Sequence, residues 1–170
     1  MVIYLIGYMG SGKTKLGKKL AARIGFKFID LDKLFEQQHH TTIADYFNSY
    51  GEESFRKEEQ QILYSMEKTS KAVVSTGGGT PCYQDNIAFM NKTGVTVYLQ
   101  LSAQSLAHRL RVSSANRPLL ENIGDEHFDS FIQQHLAERE NYYLKAHFVV
   151  KGEDLTGEML YKALNSILPS

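Results

Sequence analysis

The sequence predicts an α/β protein with a parallel sheet of five strands and helices on both faces of that sheet. Two observations indicate this fold. Short runs rich in apolar and β-branched residues alternate along the chain with stretches whose apolar residues recur at helical spacing. In addition, the first apolar run passes directly into a glycine-rich turn and then into a helix-like segment. Strands that alternate with helices form parallel sheets, and ligands bind at the carboxyl ends of the strands.

Five segments have the pattern of strands. Each is short, contains β-branched or aromatic residues and is bounded by polar or glycine-containing segments. The predicted strands are residues 2–6, 27–30, 72–75, 95–101 and 148–150.

Helices are predicted between the strands. The first begins near Gly12 and places Leu16 and Leu20 on one face. Ser102 and Thr156 are suitable N-caps for two later helices. Further helical patterns cover residues 85–92, 103–111 and 126–145.

A helical insertion and a loop interrupt this alternation. The insertion covers about residues 33–66, between the second and third strands. The loop covers about residues 112–125, is polar, and contains Pro118 and Gly124. Insertions and loops at the carboxyl edge of a sheet commonly bind substrate or close over it, so we expect a substrate-binding region and a lid. Residues 1–170 are predicted to form one domain.

The composition argues against several classes of protein. Lysine plus arginine equals aspartate plus glutamate, at 19 each, so no net charge attracts the chain to nucleic acid or to an anionic membrane. No apolar stretch has the length of a membrane span, and the apolar start lacks the basic flank of a signal peptide. The single cysteine, Cys82, cannot form an intramolecular disulfide. These features predict a cytoplasmic protein without nucleic-acid or membrane partners.

The phosphate loop, residues 7–14, matches G-x-x-x-x-G-K-[ST] at every fixed position. Its glycines allow backbone N–H groups to point at phosphate oxygens, and the following helix adds its positive N-terminal end. We expect Lys13 to reach the β- and γ-phosphates and the Thr14 hydroxyl to bind Mg²⁺. An ordinary glycine-rich turn is the alternative. The predicted ATP-binding residues of this segment are Gly10, Ser11, Gly12, Lys13, Thr14 and Lys15.

Two carboxylates, Asp30 and Asp32, follow the second strand. The third strand ends in Ser75-Thr76 and offers no acidic residue to a metal, so Asp30 is the better metal candidate. Asp32 is then available to orient the acceptor hydroxyl and take its proton. The alternative is that Asp32 only caps a helix that begins at Lys33.

Candidates for binding the acceptor follow in the insertion and after the third strand. Arg56 can bind a carboxylate bidentately while Phe55 packs on an apolar ring, and Glu59 lies on the same helix face. An exposed helical arginine is the alternative for Arg56. The run Gly77-Gly78-Gly79 suits close approach of a ligand to bare backbone, with a loose linker as the alternative.

Two more arginines are candidates. Arg117 lies in the predicted lid and is suited to reach phosphates when the loop closes. Arg139 lies in the long helical pattern and by itself means little, because charged helices contain many such residues.

In combination these residues resemble the shikimate kinases, small P-loop enzymes that phosphorylate the 3-hydroxyl of shikimate with ATP. The resemblance extends over essentially the whole chain. The matching segments, in the order and spacing of that family, are residues 7–14, Asp30-Leu31-Asp32, Gly51-Glu52, Ser54-Phe55-Arg56 with Glu59, Gly77-Gly78-Gly79, Arg117-Pro118-Leu119-Leu120, and Arg139 with Tyr142-Tyr143.

The resemblance implies a three-layer P-loop fold with strand order 2-3-1-4-5, and ATP with Mg²⁺ as phosphoryl donor. It also implies that Asp32, Arg56, Gly78, Gly79 and Arg139 hold shikimate, with the two arginines on its carboxylate. The implied adenine contacts stay open between Arg109 and Arg111, with the 152–156 turn beside the base. A chain this short is expected to be a monomer.

The mechanism expected from these residues is direct in-line transfer of the γ-phosphoryl group, without a covalent enzyme intermediate. Lys13, Mg²⁺ and Arg117 would offset the developing charge, and Asp32 would hold the acceptor in line. Three other activities compete with this hypothesis. A gluconate kinase shares the motif, but gluconate has no ring for Phe55. A nucleoside monophosphate kinase would need more cations in the insertion, and a nucleotide-dependent switch would need a residue to position water.

Overall fold

One parallel sheet forms the centre of the molecule. The structure is a computed structural model, which describes residues 1–113 and 123–168. Its strands lie in the order β2-β3-β1-β4-β5, which confirms the predicted fold and strand order. The strands are β1 (Val2–Ile6), β2 (Lys27–Asp30), β3 (Ala72–Ser75), β4 (Val95–Gln100) and β5 (Phe148–Lys151).

Seven helices surround the sheet within the described residues. They are α1 (Lys13–Ile24), α2 (Leu31–His39), α3 (Ile43–Ser65), α4 (Asn86–Thr93), α5 (Ala103–Val112), α6 (Asp125–Tyr143) and α7 (Gly157–Leu164). Ser102 and Thr156 cap α5 and α7 through side-chain hydrogen bonds, as predicted. The sequence placed the start of α2 at Lys33, which is wrong because the helix begins directly after β2.

The two faces of the sheet bury alternate residues, as the period-two geometry of a strand requires. Ile3 and Leu5 of β1 pack with apolar residues of α1 and α7. Tyr4 and Ile6 face the opposite side and pack with α3, α4, α5 and α6. The molecule therefore has three layers, and the carboxyl ends of β1 and β3 open towards the insertion.

The insertion consists of α2 and α3. Gly51 interrupts α3 with a φ of 80° and a ψ of 169°, a conformation that is unfavourable for residues with a Cβ. The segment from Glu52 onward therefore takes its own direction towards the sheet edge. Of the predicted lid, residues 114–122 lie outside the described residues, and Arg117 with them. No helix in the described part of the chain is long and apolar enough to cross a membrane.

Candidate active site

A cavity of about 670 Å³ lies at the carboxyl edge of the sheet. Its wall includes the phosphate loop on one side and residues of α2, α3, α6 and the β3–α4 connection on the other. The volume is in the range of small-molecule sites. The cavity brings together the sequence-predicted residues Gly10, Gly12, Lys13, Thr14, Lys15, Asp32, Phe55, Arg56, Glu59, Gly77, Gly78, Gly79 and Arg139.

The phosphate loop takes its shape from its glycines. Gly10 and Gly12 have φ values of 80° and 94°, in the region that favours glycine. The Lys13 ammonium donates hydrogen bonds to the carbonyl oxygens of Gly7 and Tyr8, at 2.8 and 2.9 Å. These contacts hold a buried cation at the floor of the cavity, beside the N-terminus of α1. The arrangement suits a chain of phosphate groups.

A hydrogen bond joins Thr14, the last residue of the phosphate loop, to Asp30 at the end of β2. The Thr14 hydroxyl donates to Asp30 Oδ2 at 2.8 Å, and Ser75 Oγ lies 3.4 Å from the same hydroxyl. The other Asp30 oxygen accepts the backbone N–H of Lys33 and caps α2. The cap that the alternative hypothesis assigned to Asp32 thus belongs to Asp30.

Asp32 lies in the first turn of α2 and faces the cavity. Burial raises the pKa of its carboxyl group to about 7, and the carboxylates of Glu59 and Asp30 act in the same direction. Lys13 and Arg56 oppose this increase without cancelling it. A carboxyl group with a pKa near neutrality can both hold and release a proton at physiological pH.

Arg56 and Glu59 form a buried ion pair on α3. Arg56 Nη1 donates to Glu59 Oε2 at 2.8 Å, and the two side chains are 10% and 4% exposed. Burial disfavours the guanidinium, but Glu59 and Glu52 outweigh this effect and raise the pKa of Arg56. Thr80 donates to the second Glu59 oxygen at 2.5 Å. The surface alternative for Arg56 is therefore wrong, since Arg56 is buried, paired and part of the cavity wall.

The glycine run explains how these charges come so close together. A Cβ at Gly77 would lie 2.8 Å from Glu59 Oε1 and 3.0 Å from Asp32 Oδ1. A Cβ at Gly79 would overlap the Arg56 guanidinium. A side chain at Gly77 or Gly79 would therefore displace the carboxylates or the guanidinium from these positions.

Arg139 reaches the same cavity from α6. Its guanidinium carbon lies 5.9 Å from the ring centre of Tyr8. Its Nη1 atom would be 3.6 Å from a Cβ on Gly78, whose carbonyl oxygen accepts a hydrogen bond from Tyr143. Two arginines from different helices thus face one space.

The two adenine candidates lie outside this cavity wall and in different places. Arg109 lies beside the phosphate loop, with Nη1 3.8 Å from the position of a Cβ on Gly12, and it donates to the carbonyl oxygen of Glu153. Arg111 donates to Asp129 at 2.8 Å. Arg109 therefore lies nearer to a nucleotide bound at the phosphate loop.

Several cavity residues were not predicted. They are Met9, Glu36, Thr42, Ile43, Ala44, Phe47, Ser75 and Thr76. Met9 lies within the phosphate loop and Thr76 directly precedes the glycine run, so their positions alone could have indicated them. Glu36 and Phe47 carry no such signal, because only the packing of α2 against α3 brings them to the cavity.

Comparison with known proteins gives a consistent result. The family model for shikimate kinases matches residues 9–168. A shikimate kinase from Phocaeicola vulgatus is 44% identical over 153 residues, which cover 90% of this chain and 87% of that protein. The crystal structure of shikimate kinase from Bacteroides thetaiotaomicron has a TM-score of 0.91 at 37% identity, covering 97% of this chain and 98% of that one. Shikimate kinase from Acinetobacter baumannii in complex with shikimate has a TM-score of 0.87 at 30% identity, covering 99% and 95%.

Proposed function

The chain belongs to the shikimate kinase family, and from this premise we propose that it transfers the γ-phosphoryl group of ATP to the 3-hydroxyl of shikimate. One observation carries the proposal. The same cavity joins a phosphate loop to a second group of charged side chains, Asp32, Arg56 and Arg139. A donor phosphate and a hydroxy acid bound in this space would be neighbours, which is the arrangement that direct transfer requires.

Arg56 and Arg139 bind the shikimate carboxylate. Both guanidinium groups face the cavity, and Glu59 with Thr80 fixes the orientation of Arg56. A guanidinium fork matches a carboxylate in shape and charge, so two of them fix both the position and the rotation of the ring. Gly78 and Gly79 allow the ring hydroxyls to approach the backbone, and Phe55 offers an apolar surface beside them.

Asp32 orients the 3-hydroxyl and accepts its proton as the bond to phosphorus forms. Its position beside Lys13 and its pKa near 7 suit this role. Lys13 offsets the negative charge that develops on the phosphoryl oxygens. Transfer is direct and in line, without a covalent enzyme intermediate.

The residues present fit a Mg²⁺ ion. Mg²⁺ prefers oxygen ligands and keeps several waters, so one hydroxyl and one carboxylate beside the phosphates are sufficient. Thr14 and Asp30 supply this pair, and their oxygens already lie 2.8 Å apart. Held by Thr14 and Asp30, the ion would offset the negative charge of the phosphates.

The remaining assignments complete the proposal. Arg109 contacts adenine, because it lies beside Gly12 whereas Arg111 pairs with Asp129. Arg117, which lies outside the described residues, is assigned to offset charge on the transferred phosphoryl group. The chain acts as one domain and as a monomer in the cytoplasm, without nucleic-acid or membrane partners.

Identification of the product tests the proposal. Purified protein incubated with ATP, Mg²⁺ and shikimate should yield a product with one phosphate monoester, which phosphorus NMR and mass spectrometry can place on the 3-oxygen. A phosphorylated protein, or a phosphate on another oxygen, would contradict the proposed chemistry.

A further inference from the structure

Tyr8 connects the phosphate loop to α6. Its ring is buried, and its hydroxyl lies 2.7 Å from Nδ1 of His135 on α6. The two rings meet edge to face, with centres 5.5 Å apart. A buried hydroxyl without a partner is costly, so this hydrogen bond defines where the Tyr8 side chain rests.

Tyr8 contacts both Lys13 in the phosphate loop and Arg139 on α6. Its carbonyl oxygen accepts a hydrogen bond from the Lys13 ammonium at 2.9 Å. Its ring lies beneath Arg139, whose guanidinium carbon is 5.9 Å from the ring centre. Arg139 follows His135 by four residues, so the two side chains lie on one face of α6. A shift of Tyr8 would therefore move the Lys13 contact relative to Arg139.

The surroundings of His135 favour a neutral imidazole, whose Nδ1 can accept a hydrogen bond from the Tyr8 hydroxyl. Burial lowers the pKa of His135, and Arg139 and Arg56 act in the same direction, while Glu138 and Glu52 oppose them. The Phe131 ring packs against it with centres 5.2 Å apart. The imidazole thus packs between Phe131 of its own helix and Tyr8 of the phosphate loop.

We infer that His135 is a positioning residue that, through Tyr8, links occupation of the phosphate loop to occupation of the carboxylate site at Arg139. ATP bound at Lys13 and a carboxylate bound at Arg139 would each favour the one position of Tyr8 that its hydrogen bond to His135 defines. The second ligand then binds to an already ordered site, which gives positive coupling between the two substrates. This inference rests on the proposed function, because Arg139 is treated as a substrate ligand.

The test measures shikimate affinity with and without a non-hydrolysable ATP analogue and Mg²⁺, by calorimetry. The native protein should bind shikimate about five-fold more tightly, or better, when the analogue is present. In Tyr8→Phe and in His135→Leu this ratio should fall close to one. The double variant should be no worse than either single variant, because both remove the same hydrogen bond.

His135→Asn separates positioning from simple stability. Asparagine places an amide atom at the δ position that Nδ1 occupies, so it can still bond to Tyr8, whereas leucine cannot. Leucine is the better helix former, so a purely structural role would favour leucine over asparagine. The inference predicts the reverse order for the coupling ratio, with asparagine close to the native protein.

His127 on the same helix supplies the matched control, because its side chain is 75% exposed. His127→Leu and His127→Asn should leave the coupling ratio unchanged. The inference is overturned if the native protein shows no coupling, if leucine and asparagine at position 135 behave alike, or if the effects of the Tyr8 and His135 changes multiply. Failure of the proposed function is distinguishable, since the native protein would then not phosphorylate shikimate at all.

Discussion

The two ends of the cavity differ in how their residues are brought together. The phosphate end, residues 7–14 with Asp30, takes most of its contacts from one contiguous segment whose backbone holds Lys13. The acceptor end, Asp32, Arg56, Glu59, Gly77–Gly79 and Arg139, collects side chains from α2, α3, α6 and the β3–α4 connection. The first is a local structure that recurs wherever its motif occurs, and the second exists only when the whole domain is folded. Substitutions at the two ends should therefore affect different steps.

The largest effect is expected at Lys13. Lys13→Ala should lower kcat by about 10³-fold or more, because it removes the buried cation that faces the transferred phosphoryl group. Circular dichroism should show a folded protein. Lys18→Ala, an exposed lysine on the same helix, serves as the control and should keep native activity. Near-native turnover in a folded Lys13→Ala protein would rule out the role proposed for this residue.

Arg139→Ala should act at the acceptor end alone. Loss of a charge-assisted, largely desolvated contact with a carboxylate costs roughly 2–4 kcal/mol, or about 30- to 1,000-fold in shikimate Kd. ATP affinity, measured in the absence of shikimate, should barely change. Arg23→Ala, which alters an α1 arginine that pairs with Glu158 of α7, should affect neither affinity. An equal loss of both affinities in Arg139→Ala would show that the two ends are not separable.

Arg56→Ala should weaken shikimate binding to a similar extent and should also lower the melting temperature. It leaves the Glu59 carboxylate, 3% exposed, without its cation. Breaking a buried pair from one side costs about 3–5 kcal/mol of stability. Unchanged stability together with unchanged shikimate affinity would show that Arg56 supports neither the fold nor the acceptor site.

The acceptor end should also determine the pH dependence. Since the Asp32 carboxyl must be ionised to accept a proton, kcat/KM for shikimate should fall about tenfold per pH unit below pH 7. Asp32→Asn should have much lower activity, and its remaining kcat/KM should no longer fall below pH 7. If the fall below pH 7 is unchanged in Asp32→Asn, another group is responsible for it.

The same pKa makes a prediction for stability. A carboxyl group whose folded pKa is raised contributes stability that is present below its unfolded pKa, near 3.8, and is lost as pH rises through 7. The ligand-free Asp32→Asn protein should thus melt at a higher temperature than the native protein at pH 8. The difference should shrink towards pH 4, and thermal unfolding at both pH values measures it.

The smallest effect is expected at Thr80, which supports Arg56 indirectly. Thr80→Val removes the hydroxyl that donates to Glu59 at 2.5 Å and keeps the side-chain volume. Shikimate affinity should fall several-fold and stability by about 1.5–3 kcal/mol, the range for hydrogen bonds to charged groups. Thr80→Ser keeps the hydroxyl and should remain near native. Equal behaviour of the valine and serine variants would show that this hydrogen bond does not hold Glu59.

The difference between the two ends also explains what the sequence could reveal. The strands and the position of Lys13 and Thr14 were predicted because each depends on a local pattern or a contiguous motif. The strand order was implied by the resemblance to shikimate kinases and not by any local pattern. Asp30 was predicted as a metal ligand together with Thr14, and it lies next to the Thr14 hydroxyl. The role of Asp30 as the N-cap of α2 was missed. The apolar Leu31 is equally compatible with the end of a strand and the start of a helix, so the sequence did not show that α2 begins there.

The acceptor end was predictable only in part. The i,i+3 spacing of Arg56 and Glu59 indicated that the two side chains could meet, but it could not show that they are buried. Thr80 contributes through a contact across 21 positions of sequence, which no local pattern reveals. Glu36 and Phe47 reach the cavity only because α2 packs on α3.

An acceptor comparison tests the central claim most directly, namely that the acceptor end is built for a rigid cyclic hydroxy acid. Purified protein with ATP and Mg²⁺ is offered shikimate, gluconate, AMP or no acceptor, and ADP release is followed for each. We predict rapid release with shikimate alone, because only a ring carboxylate and ring hydroxyls pair with Arg56, Arg139 and Asp32 without leaving buried charge unpaired. Comparable release with gluconate or AMP, or without any acceptor, would contradict the account.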